Sequence, residues 1–378
     1  MTHRERWLRT MHFQSPDHIP DQEFGYWSDT LVRWRKEGLP DWVTDDSKAE
    51  RYFGFAPAAG VPVNQGLIPG FESRTIEETD EYVIYIDGSG VKQMVPKDGH
   101  STIPKYLEFP LKGPEDWPKF VERLNPNDPE RYPKPADWEA WKQRWARPDR
   151  EIPLFIGAGS LFGWIRNWMG FEGVALAVYD HPRWMHEVVD YLCDFLIRTM
   201  ERALNEVPGI DGAGMWEDMA FRSGTIISPK MFDELLVPRY KRLTDRLREA
   251  GVDVVWLDCD GNISEVVGLW LKGGVNCMFP VEVRGGSDPV AIRRKYGHDV
   301  LMMGGVDKTR LIEGKKAIDE EIARLAPIVE DGAYIPHVDH RCPPDVSYEN
   351  YLYYLHRKRE MFGIPEPQGV ASDQSPEE

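Results

Sequence analysis

Asp258 and Asp260 stand two residues apart at the end of the apolar run Val252–Asp260, VDVVWLDCD. On an extended strand, residues i and i+2 point to one side, so both carboxylates can face the same space. Two acids that close either share a proton or bind a cation. Four more apolar runs in the second half end the same way. Ile210–Asp218 ends on Glu217 and Asp218, Val275–Glu282 on Glu282, Asp299–Asp307 on Asp307, and Ala333–His340 on Asp339 and His340. Asp258, Asp260 and His340 together make a ligand set for a divalent metal such as zinc, and His337 on the same run is the competing imidazole. Glu217 and Asp218 are candidates to orient substrate or to act as general acid and base. The plainer alternative is that each acid merely caps the helix that follows its strand.

Residues of this kind need a frame that brings strand ends together. Between the runs lie amphipathic stretches such as Pro229–Ala250 and Ala317–Glu330. Strands apolar on both faces, alternating with helices, imply a parallel sheet covered by helices. Ile19–Phe24, Val61–Ile68 and Pro153–Gly157 bring the strands to eight, which predicts an α/β fold of the (β/α)8 TIM-barrel type with its site at the carboxyl ends of the strands. A helix is expected over Thr2–His12. Alternation around Asp87-Gly88 predicts a β-hairpin, Glu81–Tyr85 with Val91–Val95, inserted over the barrel mouth. Gly157-Ala-Gly159-Ser-Leu-Phe-Gly163 misses the dinucleotide fingerprint by one residue and reads as a strand-to-helix turn. Residues 1–364 are expected to form one domain and residues 365–378 a disordered tail.

A net charge of −17 argues against nucleic acid and against an anionic membrane surface as partners. No apolar stretch is long enough to span a bilayer, and no secretory signal precedes the first helix, so a cytoplasmic enzyme is expected. The four scattered cysteines exclude a zinc ribbon and suit a reducing compartment. Most of the 14 tryptophans read as packing anchors; Trp27, with Tyr26 beside it, is the candidate pocket wall.

Several segments resemble the uroporphyrinogen decarboxylase superfamily, which holds that decarboxylase and corrinoid-linked methyltransferases. They are Ile227-Ser-Pro-Lys-Met-Phe232, Pro238-Arg-Tyr-Lys-Arg242, Asp260-Gly-Asn262, Gly304-Gly-Val-Asp307, and Pro343-Pro-Asp-Val346 followed by Tyr348-Glu-Asn-Tyr351. The resemblance implies a (β/α)8 barrel with the site at its mouth. Where the true decarboxylases carry an Arg-Gln-Ala-Gly-Arg stretch, this chain has Glu23-Phe-Gly-Tyr-Trp27, without arginine. A polyanionic porphyrinogen facing an acid-lined mouth is electrostatically unfavourable. In the thiol-directed methyltransferases of the superfamily a zinc ion is held by His-X-Cys and a later Cys. The matching positions here are Asp258, Asp260 and His340, so the resemblance implies a harder ligand set.

The expected function is methyl transfer involving a small methoxylated or methylamine compound and a methylcorrinoid on a separate protein. Asn262, Glu282, Asp307 and His337 would complete the substrate site with Tyr26 and Trp27. The alternatives are a lyase decarboxylating a small non-porphyrin substrate, and a barrel subunit without catalysis.

Overall fold

The computed structural model describes residues 1–97 and 103–367. Seven parallel strands lie side by side in chain order: Ala59–Gly60, Leu154–Gly157, Gly212–Trp216, Val255–Asp258, Cys277–Phe279, Leu301–Val306 and Tyr334–Val338. All five carboxylate-ending runs and Pro153–Gly157 supply strands. Helices cover the sheet from outside, as alternating βα units require. The result is a barrel-like α/β fold. No helix among the described residues is long and apolar enough to cross a membrane.

The two N-terminal strand expectations need correction. Residues 19–24 form no strand. Asp21 turns its carboxylate to Arg359 at 2.8 Å, and Glu23 uses a side-chain oxygen to take the Val338 N–H at 2.8 Å. A carboxylate thus occupies the place of a main-chain ladder partner. Regular pairing is reduced to one parallel bridge, Tyr26 with Cys342, and to the Ala56 N–H on the Asp21 carbonyl. Residues 61–68 form no strand: the ladder covers Ala59–Gly60 just before them, and only the Val61 N–H still reaches the sheet, at the Phe155 carbonyl. Beyond it, the loop around the buried Arg131 captures the backbone. The Asn64 and Ile68 N–H groups go to the Arg131 and Arg123 carbonyls, and the guanidinium binds the carbonyls of Asn64 and Gly66.

The first helix is His3–Met11, capped by Thr2. The stretch 229–250 is split into Pro229–Leu235 and Val237–Glu249, with Pro238 in the first turn of the second helix, where its missing N–H is harmless. The expected hairpin exists, Tyr82–Ile86 against Lys92–Pro96, inside a larger four-stranded antiparallel sheet completed by Arg74–Glu78 and Lys105–Glu108. Its turn residues Gly88 and Ser89 line a small cavity together with Gln65 and Trp164, which places the insertion beside the mouth. Of the expected tail, residues 365–367 are described and Glu366 pairs with Arg359 at 3.1 Å; the rest lies outside the described residues.

Inside the barrel, side chains from alternate strand positions form an aromatic layer. Trp256 packs edge-on to Phe155 at 5.0 Å between centroids, and Phe155 meets Trp7 of the first helix at 4.9 Å. The Trp256 indole lies across the neighbouring strand, where a Cβ at Gly214 would come within 2.5 Å of it. Only glycine fits there. Gly214→Ala should therefore destabilise the fold by about 1–3 kcal/mol through overpacking, and Trp7→Ala by about 3–5 kcal/mol through an unfilled core. Urea unfolding checks both, and an unchanged midpoint for Gly214→Ala would mean that the indole is not fixed where it lies.

Candidate active site

Asp258 is the last residue of its strand, paired in register with Trp216 on one side and Phe279 on the other. Two residues earlier on the same face stands Trp256. Asp258 lines a cavity of about 480 Å3 walled by Phe155, Trp164, Trp216, Trp256 and Phe279, with Gln65 at its edge. The lining holds no lysine or arginine. Burial, then the charges of Asp260 and Asp218, push the Asp258 carboxyl up to about 8, with His340 pulling the other way. At neutral pH it is a carboxylic acid carrying its proton.

Asp260 and His340 meet as expected, Oδ2 to Nε2 at 3.2 Å. Burial lowers the proton affinity of His340, but the hydrogen bond and charge of Asp260 outweigh it and the net shift is upward. Trp27 stacks on the imidazole, centroids 5.8 Å apart at 25°, and Phe24 meets it edge-on at 5.7 Å. The metal expectation fares differently. Asp260 and His340 direct binding atoms at each other, and among the described residues no group of three His, Cys, Asp or Glu side chains is placed to hold an ion. The triad does not fit a metal as it stands.

The other strand-end acids have separate surroundings. Glu217 is fully buried and does not line the cavity. Its carboxylate takes the N–H groups of Leu161, Phe162 and Gly163 at 2.7–2.8 Å and the Ser160 hydroxyl at 2.9 Å. That is a carboxyl group seated on the N-terminus of helix Gly163–Asp180. Asp218, at φ +43°, ion-pairs with Arg166 at 2.5 Å; burial raises its pKa, Arg166 opposes, and the Asp260 charge adds to the rise. Arg166 in turn lies over the Trp216 ring at 5.3 Å. Glu282 is neutralised by Lys308 at 2.8 Å and takes the Gly261 N–H. Asp307 caps helix Lys308–Glu313 through the Thr309 N–H at 2.9 Å. Asp339 accepts from the Val283 and Lys308 N–H groups. Asn262 closes a local turn on the Ser264 N–H.

Tyr26 is no pocket wall. Its ring is buried against Trp34, Phe53 and Tyr351, and its hydroxyl bonds that of Tyr351 at 2.6 Å. His337 is buried beside Glu23, away from Asp258's cavity. Sequence reading missed the aromatic walls, although Trp216 and Trp256 each stand two residues before a strand-end acid. It also missed Arg166, which no motif marks. Cys259 is buried and accepts the Met219 N–H, so its thiol is structural.

Opposite stability effects distinguish the two kinds of acid. Asp258 ionises near pH 4 when unfolded and near 8 when folded. Its burial therefore costs nothing below pH 4, costs progressively more as pH rises to about 8, and levels off above. Asp258→Asn should be more stable than the parent by on the order of 2–4 kcal/mol at pH 8 and by little at pH 4. Glu217→Ala should be less stable by about 3 kcal/mol at pH 7, because it orphans buried donors. Thermal or urea unfolding across pH checks this, and a destabilised Asp258→Asn at pH 8 would sink the assignment of Asp258.

Comparison with known proteins adds the following. The family model described as uroporphyrinogen decarboxylase (URO-D) matches residues 99–360. Proteins named uroporphyrinogen decarboxylase from Campylobacter concisus and Campylobacter lari are 19% and 21% identical over 182 residues, covering 47% of this chain and 49% of theirs. The match thus spans about half the length of these curated relatives. A solved methyltransferase from Methanosarcina mazei shares the fold with a TM-score of 0.59, over 96% of this chain and 99% of that one, at 14% identity.

Proposed function

Because the chain belongs to the uroporphyrinogen decarboxylase family, we propose that it is an enzyme of that superfamily's methyl-transferring kind, acting on a small methoxylated or methylamine compound. The observation that carries this reading is Asp258: a carboxyl group that keeps its proton up to about pH 8 at the wall of an aromatic cavity. Demethylation of a neutral ether or free amine calls for such a group, because the departing oxygen or nitrogen would otherwise leave as an anion. As the bond from the methyl carbon to oxygen or nitrogen breaks, that carbon bonds to an incoming nucleophile, and the departing heteroatom takes the Asp258 proton. Water then reprotonates the carboxylate. The nucleophile in this reading is a reduced corrinoid carried by a separate protein.

The substrate's apolar body would lie among Trp164, Trp216, Trp256 and Phe279. Aromatic faces with one neutral acid and no basic group favour a neutral or cationic molecule over an anion. Asp260 and His340, under Trp27, sit next to the acid and tune it. Asp218 acts on it through charge alone, with its own charge held by Arg166. A uroporphyrinogen, with its eight carboxylates, meets no lysine or arginine in this lining.

A second reading rests on the same residue. A protonated Asp258 can also protonate the carbanion left when a small carboxylic acid loses CO2, which would make the enzyme a carboxy-lyase. Products separate the two. With 2-methoxyphenol as donor and chemically reduced cobalamin as acceptor, methylcobalamin should form and be visible by absorbance. The rate should fall about tenfold per pH unit above 8, and Asp258→Asn should lower it by about 10²–10⁴-fold. Uroporphyrinogen should not be turned over at an ordinary enzymatic rate of about 1 per second or more. Release of CO2 from small aromatic acids, with no methyl transfer to cobalamin, would overturn the methyl-transfer reading and favour the lyase.

A further inference from the structure

Adjoining the first cavity, and sharing the rings of Phe155, Trp256 and Phe279 with it, lies a second cavity of about 360 Å3. The three rings line both spaces, but Asp258 lines only the first. Trp7 and Phe55 extend the aromatic lining, and the exposed residues Glu50 and Ala58 mark the entrance. The polar groups are Glu23, His337, Gln22 and Glu50.

These polar groups share one chemical character. The Glu23 side chain is 1% exposed and the His337 ring 3%, with Nδ1 3.8 Å from a Glu23 oxygen. His337 Nδ1 lies 2.8 Å from the Val338 carbonyl, which can only accept, so Nδ1 carries the hydrogen. Nε2 of the neutral ring is then a bare lone pair, and it makes no hydrogen bond among the described residues. Burial drives the ring's pKa down to about 3, so it stays an acceptor at neutral pH. Glu50 at the entrance is a second carboxyl group. Gln22 and the indole N–H groups of Trp7 and Trp256 are the donors among the lining residues. Glu23 already takes the Val338 N–H and the Tyr351 hydroxyl, so a ligand must bring a donor for the bare His337 nitrogen, and its body must lie against aromatic faces.

We propose that this second cavity is a binding site for a small organic ammonium ion, a protonated amine carrying an apolar or aromatic body. The His337 Nε2 lone pair and the Glu50 carboxyl at the entrance would take ammonium hydrogens, Glu23 would add its charge from behind, and the faces of Trp7, Trp256, Phe155 and Phe279 would hold the body and stabilise the positive charge. An anion is excluded by the two glutamates, and a bare metal ion by the lack of any three gathered ligands among the described residues. The volume lies at the lower end of ordinary small-molecule sites. The site is independent of the methyl-transfer reading, because Asp258 plays no part in it.

Titration calorimetry of the full chain with benzylammonium chloride tests it. Binding is expected with a Kd of about 1 mM or tighter, and neutral benzyl alcohol should bind at least about tenfold more weakly. Glu23→Gln should weaken benzylammonium by about tenfold or more. Ala58→Trp, at the exposed entrance, should abolish binding without lowering the Tm, and it decides the matter if Glu23→Gln folds poorly. Asp258→Asn should leave binding unchanged. Equal affinity for benzyl alcohol, binding that survives Ala58→Trp, loss of binding in Asp258→Asn instead, or no heat at about 10 mM ligand would each overturn the proposal.

Discussion

The aromatic layer across the barrel is the constraint on which the other features depend. Trp256 can lie there only because the adjoining strand offers Gly212 and Gly214 in place of side chains. Once it lies there, its ring lines both cavities and stands one pleat below the buried strand position two residues later. Asp258 is that position. Its carboxyl cannot keep the solvation that would hold it ionised, and the nearby charges of Asp260 and Asp218 add to the penalty. The acidity of the site is thus set by a packing decision made one pleat below it.

Each strand-end acid shows how far environment overrides residue type. Glu217 and Asp258 stand at equivalent ends of adjacent strands, and burial raises both pKa values. Glu217 is surrounded by backbone donors and holds a helix in place, whereas Asp258 faces an aromatic wall and keeps its proton. Asp218 and Glu282 are matched by Arg166 and Lys308. What the composition presents as a broadly acidic mouth resolves into one protonated acid and one acid–imidazole pair. The lack of any base in the cavity lining, more than the net charge of −17, is what makes a polyanionic ligand unfavourable there.

The sequence made the barrel legible because strands buried on both faces are read from apolar runs alone, and six of these runs became strands. It made Asp258, Asp260 and His340 legible as neighbours, since strand ends in such a fold must converge. It misled wherever a side chain took over a backbone role. Glu23 reads as an acid at the end of a strand, but its carboxylate replaces the ladder at Val338, so the strand itself does not form. Arg131 sits in a proline-rich loop with nothing to mark it, yet its guanidinium captures the carbonyls that would have continued the second strand. Asp307 and Glu217 could not be told from catalytic acids by type, because a cap and a catalytic group are the same residue before the helix is placed.

The irregular wall at residues 19–26 follows from the same substitution of side chain for backbone. A regular strand there would have turned Glu23's neighbours into a continuous ladder and closed the gap beside Ala56 and Ala58. With Glu23 held between the Val338 N–H and the Tyr351 hydroxyl, the main chain stands off from the sheet edge and the aromatic layer acquires a second accessible face. Burying that carboxyl is unfavourable, as its raised pKa records. A ladder of ordinary residues would have been the more stable closure, so a buried glutamate beside an imidazole whose far nitrogen is bare is a feature that stability alone does not explain.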